Sequence, residues 1–173
     1  MKVYFVRHGQ VLHNVLGKYN TADEDLTEVG IEQAVELREK IKDYNFDVII
    51  SSPLLRARHT AEIIANNKEI IIDNRLSERD CGDLSGKLIV ETNREEYWNY
   101  FTTLQQGTSE NIQNFFERIY NFLDELKEKE YNSVLVVAHS GVSKAFSGYF
   151  EGVKDGKFLN RGLKNCEIKE YIL

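Results

Sequence analysis

Three short stretches carry the residue types needed for phosphoryl chemistry. Arg7-His8-Gly9 follows the apolar run Val3-Tyr4-Phe5-Val6, Arg56 follows Ser51-Ser52-Pro53, and His139 closes the run Val134-Leu135-Val136-Val137-Ala138. Two arginines and two histidines, each at the end of an expected strand, make a phosphate pocket, and open α/β sheets expose side chains at such strand ends. Guanidinium groups grip phosphoryl oxygens with a planar fork that lysine does not match, each charge-assisted bond contributing about 1.5–3 kcal/mol. A neutral imidazole attacks phosphorus, which marks His8 as the nucleophile and a phosphohistidine as the intermediate. Nearby cations, namely Arg7, Arg56 and a protonated His139, disfavour charge on His8 and are expected to lower its pKa below the reference of about 6.5. Asn14, a short way past Gly9, can add a neutral amide donor.

The elements that must position these groups alternate. Apolar runs predict strands over 2–6, 47–51 and 133–138, with further strands over 69–73 and 166–173, the last an edge because Glu167, Lys169 and Glu170 interrupt it. A helix over 27–42 would be capped by Thr27, with Ile31, Ala34, Val35 and Ile41 on one face. The strongest periodic signal is Ile112, Phe115, Phe116, Ile119, Phe122, Leu123 and Leu126, a helical stripe that must pack on the sheet. Pro53, the only proline, stops the second strand just ahead of the helix carrying Arg56. Alternation of this kind predicts a three-layer α/β/α sandwich around a mostly parallel sheet with right-handed crossovers. The polar and aromatic stretch 87–108, with Tyr97, Trp98, Tyr100 and Phe101, is expected to be a helical insertion over the catalytic edge, and the place where substrate selectivity lies.

At 173 residues, 42% hydrophobic, the chain suits one domain spanning 1–173. Four apolar residues between Lys2 and Arg7 are too few for a signal peptide core, and no later run reaches membrane-span length, so a soluble, cytoplasmic protein with no membrane partner is expected. A net charge of -6 without a basic tract argues against nucleic acid. Cys81 and Cys166 are too few for a disulfide framework and no cluster has zinc spacing, so no cofactor and no metal are implied. An anionic substrate must therefore be drawn by a local basic pocket in an acidic protein. A homodimer is compatible with the sequence.

Five blocks in order resemble the histidine phosphatase superfamily, also called phosphoglycerate mutase-like. They are Arg7-His8-Gly9 with Asn14; Leu26-Thr27 with Gly30, Gln33 and Ala34; Ser51-Ser52-Pro53-Leu54 with Arg56, Ala57, Thr60, Ala61 and Glu62; Leu76 and Glu78 leading to Gly82 and Gly86; and Val137-Ala138-His139. The resemblance covers nearly the whole chain and implies the phosphoglycerate mutase-like fold. It also implies catalytic roles for His8, Arg7, Arg56, Glu78 and His139, and substrate contacts from Arg7, Asn14, Asn20, Arg56, Arg79 and Ser140. His139 would donate to the equatorial oxygens from the opposite wall. Glu78 falls where members with a general acid carry a carboxylate; at a reference pKa of about 4.3 only about 0.2% would be protonated at pH 7, so burial or the substrate dianion would have to raise it. Gln10, His59, Ser85 and Ser140 depart from residues common in the family, which weakens transfer of any one relative's substrate. His13, His59, Arg58, Arg75 and Lys87 are read as surface groups.

The reading that follows is a cofactor-independent phosphatase hydrolysing a small phosphorylated metabolite. A mutase would use the same pocket, yet the mutases of the family are considerably longer. Protein phosphohistidine phosphatases typically lack an acid where Glu78 stands, and a binding-only pseudoenzyme would be expected to have lost one of Arg7, His8, Arg56 and His139.

Overall fold

The computed structural model describes residues 1–158 and 162–173. Its elements run β1 (Lys2–Arg7), α1 (Leu12–Leu16), α2 (Glu28–Lys40), β2 (Val48–Ser51), α3 (Leu55–Ala65), β3 (Ile70–Ile72), α4 (Arg94–Tyr97), α5 (Ile112–Lys127), β4 (Ser133–Ala138), α6 (Ser140–Glu151), β5 (Val153–Lys154), β6 (Lys157–Phe158) and β7 (Ile168–Ile172). The main sheet has the order β3-β2-β4-β1-β7. β1 and β2 each pair in parallel with β4 and β3 pairs in parallel with β2, while β7 closes the β1 edge antiparallel. The mixed residues of the last strand thus lie on an edge, as their charge pattern required.

Period-two alternation divides the strand side chains between two apolar layers. Val3, Phe5, Val134, Val136 and Ala138 face α5 and α6, meeting Phe115, Phe116, Ile119, Leu123 and Phe146. Val6, Ile49, Leu135 and Val137 face α2 and α3, meeting Leu37, Ile41, Ala61 and Ile64. Every residue of the α5 stripe is buried, and Asn111 caps that helix through the amides of Gln113 and Asn114. This is the expected three-layer architecture. Among the described residues, no helix is long and apolar enough to cross a membrane.

Two expectations need correction. Thr27 does cap α2, accepting from Gly30 N at 3.1 Å, but the buried face is Gly30, Ala34, Leu37 and Ile41, whereas Ile31 and Val35 are exposed. The helix meets the sheet through Leu37 and Ile41, while Gly30 lets its first turn press against the loop after β1. A Cβ on Gly30 would lie 2.2 Å from Gln10 O, and one on Gly9 would lie 2.4 Å from Gly30 O. The stretch 87–108 is mostly not helical: it holds a 3-10 turn at Ile89–Glu91 and the one-turn α4, and the rest is turns and irregular chain. Its aromatic residues cover other groups instead of forming a helix stripe, with Tyr97 buried and Phe101 exposed.

Candidate active site

The last rungs of the sheet assemble the site. Arg7 lies opposite Ala138, Ser51 lies opposite Val137, and the ladder continues as His8 N donates to Ala138 O at 2.9 Å and Ser52 N to Val137 O at 3.0 Å. Because β4 lies between β1 and β2, three sequence-distant strand ends become neighbours, at the point where chain order reverses in the sheet. Arg56 comes from the first turn of α3. Thr60 ties that helix to the first loop, its hydroxyl donating to Arg56 O at 2.7 Å and accepting from Gly9 N at 3.0 Å.

His8 is 2% exposed and His139 fully buried, with ring centroids 5.2 Å apart. His8 Nδ1 lies 2.7 Å from Gly9 O. A carbonyl only accepts, so Nδ1 carries the proton and Nε2 keeps its lone pair. Burial, then Arg56 and Arg7, hold the His8 imidazole well below its ordinary pKa. His139 is depressed in the same way, by burial first and then by Arg56, His8 and Arg7, so it is neutral at pH 7; the expectation of a protonated His139 is corrected. Its Nε2 lies 2.7 Å from Ser52 Oγ, while its Nδ1 is buried without a partner.

Arg7 donates through Nη1 to Leu163 O and Arg56 through Nη1 to Thr21 O, each at 2.8 Å, and the Nε of both is buried without a partner. Burial lowers both guanidinium pKa values, but arginine remains cationic at any neutral pH. Buried donors left unsatisfied cost about 1–3 kcal/mol each, a cost that an anion placed among them offsets. Glu78 is the carboxylate facing these charges. Its Oε2 accepts from Gly141 N at 3.0 Å and its Oε1 from Arg79 N at 2.9 Å. A Cβ on Gly141 would lie 2.1 Å from Glu78 Oε1 and 2.6 Å from the Trp98 ring, so only glycine lets the carboxylate approach the first turn of α6.

A cavity of about 710 Å³ opens over these groups, lined by Arg7, His8, Asn14, Asn20, Arg56, Glu78, Arg79 and Ser140 among others. Arg79 lines it with much of its binding capacity used. Its Nε donates to Glu110 O and Nη1 to Tyr97 O, and its guanidinium lies 4.0 Å from the Tyr97 ring centre, so it pins the chain after α4 over the site. His13, read as a surface group, instead lines the cavity with Nδ1 3.1 Å from Glu24; His59 pairs with Asp25 away from it. Arg94 and Trp98 line the cavity from the stretch 87–108 expected to cover it, whereas Lys18, Lys144 and Asn165 also line it and were not identifiable as site residues from sequence. Asn165 in particular carries no local signal, because it meets the β1 end only through closure of the sheet. Burial raises the Cys81 thiol and pushes that of Cys166 up to about 12, so both stay protonated at neutral pH.

Two guanidinium groups, Arg56 buried and Arg7 half-buried, and two neutral imidazoles at the carboxyl ends of a parallel sheet define a phosphoryl-handling α/β enzyme. The chain belongs to the histidine phosphatase superfamily (branch 1), whose family model matches residues 3–172. It is 33% identical to phosphoserine phosphatase 1 of Hydrogenobacter thermophilus over 96% of this chain and 83% of that one. It is 30% identical to the adenosylcobalamin/alpha-ribazole phosphatase of Escherichia coli over 82% of this chain and 75% of the relative. Among solved structures, a phosphoserine phosphatase variant of Entamoeba histolytica in complex with phosphoserine superposes with a TM-score of 0.85 at 27% identity, covering 99% of this chain and 90% of that one. The protein is thus an enzyme of the phosphatase class.

Proposed function

We propose that this protein hydrolyses small-molecule phosphomonoesters in the cytoplasm through a phosphohistidine on His8. The observation that carries the reading is the tautomer of His8: with Nδ1–H held by Gly9 O, Nε2 offers a lone pair beside the buried Arg56 and half-buried Arg7 guanidinium groups. Nε2 attacks phosphorus as the P–O ester bond breaks, with Arg7, Arg56 and His139 stabilising the equatorial oxygens. The leaving alkoxide takes its proton from the Glu78 carboxyl. Water then attacks phosphorus, giving its proton to the Glu78 carboxylate as the P–Nε2 bond breaks and its electron pair returns to Nε2, and orthophosphate leaves with His8 restored.

Lys18 and Arg94 line the cavity beyond these groups, and a cationic wall there favours a substrate with a second anionic group. Relatives named for phosphoserine make that phosphorylated amino acid the first compound to try. The test is a panel of phosphoserine, 3-phosphoglycerate and p-nitrophenyl phosphate, with released phosphate and 2-phosphoglycerate both measured. Phosphate release abolished by His8→Ala supports the reading. Isomerisation that depends on a bisphosphoglycerate primer makes the protein a mutase, and hydrolysis retained in His8→Ala rules out the phosphohistidine route.

A further inference from the structure

Three amide side chains form a directed chain along the cavity. Asn165 Nδ2 lies 3.0 Å from His8 O and 3.1 Å from Asn14 Oδ1. Asn14 Nδ2 in turn lies 3.2 Å from Asn20 Oδ1. Amide orientation is often ambiguous, but here the ends resolve it. The carbonyl of His8 can only accept, so the group facing it must be the NH2 of Asn165, whose two hydrogens then serve His8 O and Asn14 Oδ1. Val11 N, donating to Asn14 Oδ1 at 3.3 Å, demands the same orientation of Asn14. Asn14 is left to donate to Asn20 Oδ1, and the NH2 of Asn20 is turned outward. Asn20 lines the cavity, and its Nδ2 has no partner among the described residues.

We infer that Asn165 is a positioning residue: together with Val11 N it holds Asn14 and so polarises the Asn165-Asn14-Asn20 chain in one direction, so that Asn20 presents a donor, never an acceptor, to the oxygens of the bound phosphate. The backbone next to Asn165 keeps it in register, because Cys166 N donates to Arg7 O at 3.0 Å. A residue 157 positions after His8 thereby joins Val11 N in setting the polarity of a wall beside the nucleophile. The inference rests on the phosphate-binding reading of the site.

The experiment is calorimetric titration of the full-length protein with inorganic phosphate, which reads the donors without any chemistry. Asn165→Ala and Asn20→Ala are each expected to weaken phosphate binding about tenfold, the loss that follows removal of one charge-assisted hydrogen bond. Because Asn165 acts through Asn20, the double variant should bind within about twofold of Asn20→Ala alone. Additive losses would mean that Asn165 acts elsewhere, for instance on the His8 backbone, and would overturn the inference, as would an unchanged affinity in Asn165→Ala. Should Asn165→Ala not fold, Asn20→Asp decides: it keeps the acceptor that Asn14 needs but replaces the outward donor, so affinity must fall at least as far as in Asn20→Ala. Retained affinity there overturns the inference. A wild-type protein that binds no phosphate would bring down the phosphate reading and this inference together, whereas wild-type binding that is insensitive to these variants brings down the inference alone.

Discussion

At His8, burial and two guanidinium neighbours act in the same direction, because each disfavours the imidazolium. The free base therefore persists as pH falls through the reference of about 6.5. The acid limb of phosphoenzyme formation, followed by rapid quench, is expected well below pH 6.5, and a limb at or above 6.5 would contradict the burial argument. Glu78 faces the same charges, held by the Gly141 and Arg79 amides. Glu78→Gln should slow hydrolysis of alkyl phosphates by about 10²–10⁴-fold while barely affecting p-nitrophenyl phosphate, whose phenolate leaves without a proton. Equal losses on the two substrates would remove Glu78 as the acid. Arg7, His8, Arg56 and His139 were legible from sequence because each follows a run whose end the sheet must expose. The protonation of His139 was not, since it depends on full burial beside three other basic groups.

Among the elements, the contact between the loop after β1 and the start of α2 places the nucleophile. Gly9 and Gly30 touch backbone to backbone, and Gln33 Oε1 accepts from Gln10 N at 2.9 Å across the same contact. Gly30→Ala has no room, since its Cβ meets a carbonyl oxygen and not a flexible side chain. It is expected to destabilise the fold by about 1–3 kcal/mol in urea denaturation and to lower kcat as the loop shifts. Unchanged stability would show that the loop yields without strain. The same contact explains the misread face of α2: periodicity counts large apolar residues, but close approach put Gly30 on the buried side and, with Ala34, Leu37 and Ile41 also turned inward, left Ile31 and Val35 outside. In 87–108 the aromatic residues were legible as a cover but not as irregular chain, because Tyr97 and Trp98 pack on the Arg79 guanidinium and Trp98 also on Phe115 of α5, contacts that need no helix in the segment itself.

For the whole molecule, two buried neutral histidines link stability to pH. Both have folded pKa values below the unfolded value of about 6.5, so on acidification the unfolded chain takes up protons first. Their contribution is fully present above about pH 6.5 and is lost as pH falls toward the folded values, with a slope of about 1.4 kcal/mol per pH unit for each group. Urea midpoints between pH 7.5 and 5.5 should fall more steeply for the wild type than for a His8→Ala, His139→Ala variant; parallel slopes would refute the linkage. Sequence by itself determined the alternating elements, the α5 stripe and the identity of the four basic groups, because hydrophobic period and strand-end placement are local properties of the chain. Only the tertiary structure decided that β4 lies between β1 and β2, that burial keeps His139 neutral, that Arg79 pins the cover, and that Asn165 reaches His8. Those outcomes depend on contacts between residues far apart in the chain, and no local pattern encodes the desolvation and hydrogen-bond direction that such contacts impose.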